Sequence, residues 1–147
     1  EYRQWKKNIP VCYDTFINNN LILPSPCIRW GHLIREDSTS SLQRIYYTER
    51  GGEPNTIVVA NVKINKPKLS DPRELGCFDE NLPAEQVQVL VKFENPSGAE
   101  VNSVLHLPHH PSLLVAKSDV APLLVWDLSP YAATVDPLPA GDDGSDA

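Results

Sequence analysis

Histidines, carboxylates and thiols are the side chains that would carry chemistry in this chain, and His106, His109 and His110 form its densest group. With Asp119 close in sequence they are of the type that holds a transition metal, whose ordinary ligands are neutral imidazole nitrogens and carboxylate oxygens. They fall, however, at the end of a predicted strand and on a Pro-flanked turn, so they are expected to be solvated rather than gathered round an ion. Asp79 and Glu80 are adjacent carboxylates. Such pairs do acid–base work where their environments push their pKa values apart; these lie in a predicted polar loop, where both stay ionised. The 3 cysteines, Cys12, Cys27 and Cys77, are irregularly spaced and form no Cys-x-x-Cys pair, which fits neither a disulfide framework nor a zinc site and reads as reduced thiols. No Gly-x-Ser-x-Gly elbow, phosphate-cradling Gly-rich loop or His-Glu-x-x-His is present. The expectation is a protein that is not an enzyme and uses no metal or cofactor.

Composition points the same way. At 147 residues, 41% hydrophobic and 22% charged, the chain has the make-up of one globular unit with a modest core. Its net charge of −6 argues against direct nucleic-acid binding, which needs a basic face to displace phosphate counterions, and suits a partner that is itself basic. Apolar runs such as Leu113 to Ala116 are far too short to span a bilayer, so no membrane partner is expected. The opening Glu-Tyr-Arg-Gln-Trp-Lys-Lys is not a signal peptide, and without an initiator Met the native N-terminus is expected to lie upstream. Pro is abundant, 14 against 7 Gly, favouring many short segments separated by fixed turns.

The elements follow from periodicity. Over residues 1–20, Tyr2, Trp5, Ile9, Cys12, Tyr13, Phe16 and Ile17 recur at spacings of three and four, with Lys6, Lys7, Asn8, Asp14 and Asn18 opposite, which predicts an amphipathic helix. Pro10 is expected to kink it or begin a second segment, and Asn18, Asn19 and Asn20 to end it. A helix this short is marginal alone and must pack on something. From Leu21 the pattern becomes β, with strands predicted over 27–30, 42–48, 56–64, 86–93, 101–107, 113–117 and 123–128. Residues 50–55 read as the turn of a hairpin. In 86–93, Val87, Val89, Val91 and Phe93 alternate with polar residues, predicting that they share one face.

Short strands in groups, the second ending at Trp126-Asp127, suggest propeller blades. Trp5-Lys6-Lys7-Asn8-Ile9-Pro10, then Tyr13-Asp14, Pro24-Ser25 and Arg29-Trp30-Gly31 resemble the opening of the retinoblastoma-binding, p48-type histone-binding WD-repeat proteins, which also serve as the small subunit of chromatin assembly factor. Gln43-Arg44-Ile45-Tyr46, Pro54-Asn55-Thr56-Ile57-Val58-Val59-Ala60-Asn61 and Glu100-Val101-Asn102 with Leu107-Pro108 continue the resemblance in order, nearest to the plant flowering-time branch and over the N-terminal part only.

The resemblance implies a propeller with a helix on its edge, in which the helix and a distant acidic loop grip the first helix of histone H4 while the top face takes the H3 tail or other partners. The matching helix positions are Ile9, Val11, Cys12, Tyr13 and Phe16, with Trp5 and Tyr13 expected to act more as anchors and Val11 and Phe16 more as contacts; the alternative is that all of them simply fix the helix to the first blade. Glu100 and Asn102 match a top-face motif, or else serve strand-end turn bonding. The chain departs from the pattern at Leu23, where relatives carry Trp, and at Pro26, which deletes a backbone donor where the family starts a strand. It also carries only about two blades, whereas closure takes at least about four, and it lacks the acidic loop, as a partial gene copy would.

The reading is therefore a mainly β fold: an N-terminal helix plus about two blades of an incomplete WD-repeat β-propeller. Its expected divisions are 1–65 (docking helix and first-blade strands), 66–83 (loop or insertion), 84–130 (remaining WD-repeat strands) and 131–147 (disordered acidic tail). The expected function is a nuclear chromatin adaptor that binds histone H4, alone or as H3–H4, within chromatin assembly, deacetylase or Polycomb-type complexes. The alternative is a truncated or vestigial propeller fragment that acts as a structural or competitive interaction module without histone affinity.

Overall fold

The computed structural model of the chain describes residues 1–66, 81, 84–120 and 123–131. Most of the expected 66–83 loop and all but Tyr131 of the expected 131–147 tail lie outside the described residues, as do Cys77, Asp79 and Glu80. Helix α1 (Tyr2–Cys12) precedes seven strands: β1 (Ile28–Glu36), β2 (Ser40–Glu49), β3 (Thr56–Asn65), β4 (Val87–Glu94), β5 (Val101–Leu107), β6 (His110–Ser118) and β7 (Leu123–Asp127). They form a four-stranded sheet in the order β1-β2-β3-β4 and a three-stranded sheet in the order β5-β6-β7. Every neighbouring pair is antiparallel. The fold is mainly β, with two blade-like sheets of the WD-repeat kind behind one helix. No helix among the described residues is long and apolar enough to cross a membrane.

The helix is shorter than its apolar periodicity predicts. It stops at Cys12, and Tyr13 turns to extended backbone (φ −132, ψ 136) while its N–H still bonds Ile9 O. Pro10 lies in the last turn, where it lacks the N–H that would continue the ladder. Asp14 and Thr15, next in line, are weak helix formers. Ile9 is the helix's buried residue.

The β2–β3 hairpin is in register over its whole length, from Ser40↔Asn65 to Glu49↔Thr56. On its inner face Tyr46, Ile57 and Val59, with Phe93 of β4, pack against Val101, Val104, Leu114, Ala116 and Leu128 of the second sheet. Each such buried side chain contributes about 1.5–3 kcal/mol, so this is what holds the two sheets face to face. The opposite face of the same hairpin carries a second cluster, Ile45, Tyr47, Val58, Ala60 and Val62, joined by Ile17, Ile64 and Val87.

In β4 the regular alternation breaks. Val59 pairs with Val91 but Ala60 with Val89, so Leu90 is an extra residue in a β-bulge, and one extra residue exchanges the faces of everything beyond it. Val91 and Phe93 therefore join the inner core, and Val87 joins the outer cluster.

Buried polar groups tie the connections. Arg44, wholly buried, donates from Nε to Oδ1 of its cross-strand neighbour Asn61 at 2.7 Å. Asn55 accepts from Gly51 N at 3.0 Å and donates to Gly98 O at 2.9 Å, linking the β2–β3 turn to the β4–β5 connection. Asn95 donates to Ala99 O at 2.6 Å and accepts from the Ser97 hydroxyl at 3.0 Å. Gly51 and Gly98 both have positive φ, 84 and 67, the conformation glycine adopts without penalty.

At the edge of the hairpin Lys92 Nζ lies 2.8 Å from both carboxylate oxygens of Glu49, whose Oε2 also accepts from Thr56 Oγ1 at 2.7 Å. Burial acts to raise the Glu49 carboxyl, but these hydrogen bonds and the Lys92 charge outweigh it and hold the group below the ordinary carboxylate value. A carboxyl depressed in the folded state contributes stability above its unfolded pKa and loses it as pH falls through the folded value. Urea denaturation followed from pH 6 down to about pH 2.5 should therefore show an acid-side loss of stability that is shallower in Glu49→Gln.

A β-carbon on Gly31 would lie 2.6 Å from Tyr46 Cε2 and 2.8 Å from Arg44 Cβ, closer than packed atoms tolerate. Gly31→Ala is expected to lower stability by about 1–3 kcal/mol, read from the urea midpoint; an unchanged midpoint would show that β1 does not press on the hairpin.

Candidate functional site

The helix and the chain just after it hold the residues expected to meet a partner. Val11 is 87% exposed and Tyr13 44%, and Cys12 is exposed. Phe16 is half-buried, with its ring edge-on to Trp5 at 5.6 Å and tilted against Tyr13 at 5.8 Å. Tyr2 adds a ring 5.6 Å from Trp5. These contacts, each worth about 0.5–1.5 kcal/mol, fold the extended chain after the helix back over it. Trp5 and Tyr13 remain accessible as well as anchoring, and Phe16 bridges them. Ile9 differs from the other expected contacts: it is 0% exposed, so its side chain supports the surface from beneath and presents nothing to a partner.

Two hydrogen bonds position the segment that follows. Thr15 Oγ1 donates to Asn65 O at the end of β3 (3.2 Å), and Ala84 N, ahead of β4, donates to Asn19 Oδ1 (3.1 Å). Ile17 packs on the outer cluster of the hairpin. Between this segment and the outer sheet face lies an apolar groove of about 680 Å³, lined by Thr15, Ile17, Asn19, Leu21, Ser25, Ile28, Trp30, Ile45, Tyr47, Val62, Ile64 and Val87. None of these side chains is charged.

The sequence reading did not identify this groove. Its signal was the unbroken apolar run Ile57–Ala60, which marks a strand covered on both faces.

Glu100 and Asn102 do not converge with the helix surface. Glu100 Oε2 pairs with Arg50 Nε at 2.7 Å, and its carbonyl accepts from Ser118 Oγ at 2.9 Å and Asp119 N at 3.2 Å. Asn102 Nδ2 donates to Asp119 Oδ1. In this structure both residues take part in strand-end bonding.

The histidines separate too. His106 stacks on Tyr46 at 5.7 Å, while His109 and His110 are exposed. Among the described residues no three His, Cys, Asp or Glu side chains gather as a metal site would require. Trp126 packs on Phe93 at 5.3 Å. Asp127 accepts from Ser129 N at 2.9 Å, and hydrogen bonds from the Ser129 side chain and backbone hold its carboxyl below the usual range.

Residues 1–66 match a family described as the histone-binding protein RBBP4, a component of the CAF1 complex. The chain is 32% identical over 130 residues to the WD-40 repeat-containing protein MSI4 of Arabidopsis thaliana, a match covering 87% of this chain and 25% of that protein. It is 25% identical over 143 residues to the probable histone-binding protein rba-1 of Caenorhabditis elegans, covering 89% of this chain and 34% of that one. The chain thus spans 25% to 34% of the length of these relatives.

The helix surface makes a prediction that separates support from presentation. Ile9→Ala removes a wholly buried side chain and is expected to cost about 2–4 kcal/mol, whereas Val11→Asp, at a position 87% exposed, should leave the thermal midpoint within about a degree. Equal losses from the two would refute the division.

Proposed function

We infer function from family: through residues 1–66 and its similarity to MSI4 and rba-1, this chain belongs with the RBBP4-type WD-repeat proteins, and on that premise it is a non-enzymatic histone-binding adaptor of chromatin. The histone engaged is H4, alone or as H3–H4. The surface that takes it is the accessible side of α1 and the turn after it, with Val11, Cys12, Tyr13 and Phe16 as contacts and Ile9 as their support. The mode is an amphipathic helix laid against an apolar surface, where a few anchors at helical spacing supply most of the affinity. The net charge of −6 adds long-range attraction for a basic partner, speeding encounter more than it strengthens the complex. The same reading places the protein in the nucleus, in a chromatin assembly, deacetylase or Polycomb-type complex. Glu100 and Asn102 are secondary candidates for a top-face contact.

The observation that carries this proposal is the coincidence of the matched segment, 1–66, with an aromatic helix surface that stays partly open to solvent although it belongs to an ordered cluster. Titration of the chain with H3–H4 tests it. Saturable binding is expected, and Val11→Asp with Phe16→Asp should weaken it at least about tenfold, equivalent to roughly 1.4 kcal/mol. Affinity unchanged by the double substitution would remove the helix from the mechanism.

A second reading is supported by the exposed apolar side chains on both sheets, Trp30 and Ile28 on one and Leu105 and Val125 on the other. It is an interaction module for other β-sheets with no histone affinity. A chain that melts cooperatively yet shows no H3–H4 binding at any concentration selects it.

A further inference from the structure

We propose that copies of this chain associate head to tail, the outer face of the three-stranded sheet of one copy entering the groove on the four-stranded sheet of the next. The observation is a pair of complementary uncharged faces at opposite sides of the two-sheet stack. On the second sheet, Leu105, Val115 and Val125 lie side by side across β5, β6 and β7. They face away from the inner core, which takes the alternate residues Val104, Leu114, Ala116 and Leu124. Leu105 and Val125 are 53% and 62% exposed. The charged residues of this face, Lys117 and Asp127, sit outside that row, paired with Leu123 and Leu113 respectively.

On the first sheet the receiving surface has the same construction. Ile28, Tyr47 and Val58 are in register across β1, β2 and β3, and Trp30, Ile45 and Ala60 form the next row. Ile28 and Trp30 are 65% and 57% exposed and line the groove.

The occupant follows from packing the molecule already contains. Inside the chain, the inner face of the first sheet is covered by a three-stranded sheet presenting β-branched and aliphatic side chains from alternate positions. The outer face asks for a surface of the same kind, and the second sheet's outer row is such a surface. Because the two faces differ, the contact is heterologous: each copy uses one face as donor and the other as acceptor, and the association does not close at a pair. A three-stranded face about five residues long measures roughly 10 by 17 Å, small for a protein interface, so micromolar rather than nanomolar association is expected.

The test is sedimentation or light scattering of the whole chain from about 5 to 500 μM, a range set by that expected affinity. Average mass should rise with concentration and continue past the dimer. Leu105→Lys with Val125→Lys, and separately Ile28→Lys with Trp30→Lys, should each hold the chain monomeric. An equimolar mixture of the two variants should form a dimer that does not grow, because each supplies the face the other lacks. All four positions are more than half exposed, so circular-dichroism melts should match the parent. If a lysine pair disturbs the melt, threonine at the same positions replaces it and the same pattern is expected. A parent monomeric at about 500 μM, a mixture that fails to pair, or a groove variant that abolishes association while the Leu105/Val125 variant does not would each overturn the proposal; the last would identify a symmetric groove-to-groove dimer.

Discussion

Everything in this structure depends on the β2–β3 hairpin being apolar on both of its faces. Tyr46, Ile57 and Val59 point one way and Ile45, Tyr47, Val58, Ala60 and Val62 the other. A sheet so constructed is not stable with water on either side, because each uncovered aliphatic forfeits about 1.5–3 kcal/mol. One face is met by the second sheet. The other is met by the irregular chain between helix and β1, with Ile17 on the cluster and Thr15 and Asn19 bonded near the ends of β3 and β4. The helix is thereby tethered to the sheet through a covering strap, and its outer surface is set by where that strap leaves the cluster.

The polar groups within this apolar frame are matched rather than scattered. Arg44 and Asn61 are direct cross-strand partners, so the charge that the sheet buries is hydrogen-bonded by the strand that buries it. Asn55 and Asn95 work in the connections, where chain reversals leave backbone groups without ladder partners. Asn55 bonds one turn to another 43 residues away, while Asn95 Nδ2 reaches Ala99 O and the Ser118 hydroxyl of β6. Together they align the two sheets at the end where the chain passes between them, complementing an apolar contact that by itself has little directional preference.

Much of the architecture was legible in the residues. The seven strands, the hairpin turn at 50–55 and the mainly β class follow from alternation and turn composition, and the order of motifs from Trp5 to Asn102 led to the family. What sequence did not disclose depended on competition between local and tertiary effects. Seven apolar positions kept helical spacing through Ile17, yet the helix ends at Cys12 because Pro10 weakens its last turn while Phe16 and Ile17 find contacts in extended chain. Leu90 looks like any strand residue, and nothing near it announces that it is surplus to the pairing. The site was visible in part: aromatic spacing located the helix surface, but periodicity alone does not distinguish Ile9, which is sealed in, from Val11, which is almost bare. The histidines were correctly placed on strand end and turn; the stacking of His106 on Tyr46 is a tertiary contact with no local signature.

Ile9 as the single buried residue of α1 has a thermodynamic consequence. Local opening free energy scales with the apolar contact an element must surrender, and this helix surrenders far less than the sheets do. It is therefore a separately fraying unit carried on a firmer platform, with an equilibrium of its own between closed and open forms. A ligand that needs the helical form has its apparent dissociation constant divided by the closed fraction. Warming then weakens recognition well before the platform melts, making affinity a thermometer of helix closure rather than of global stability.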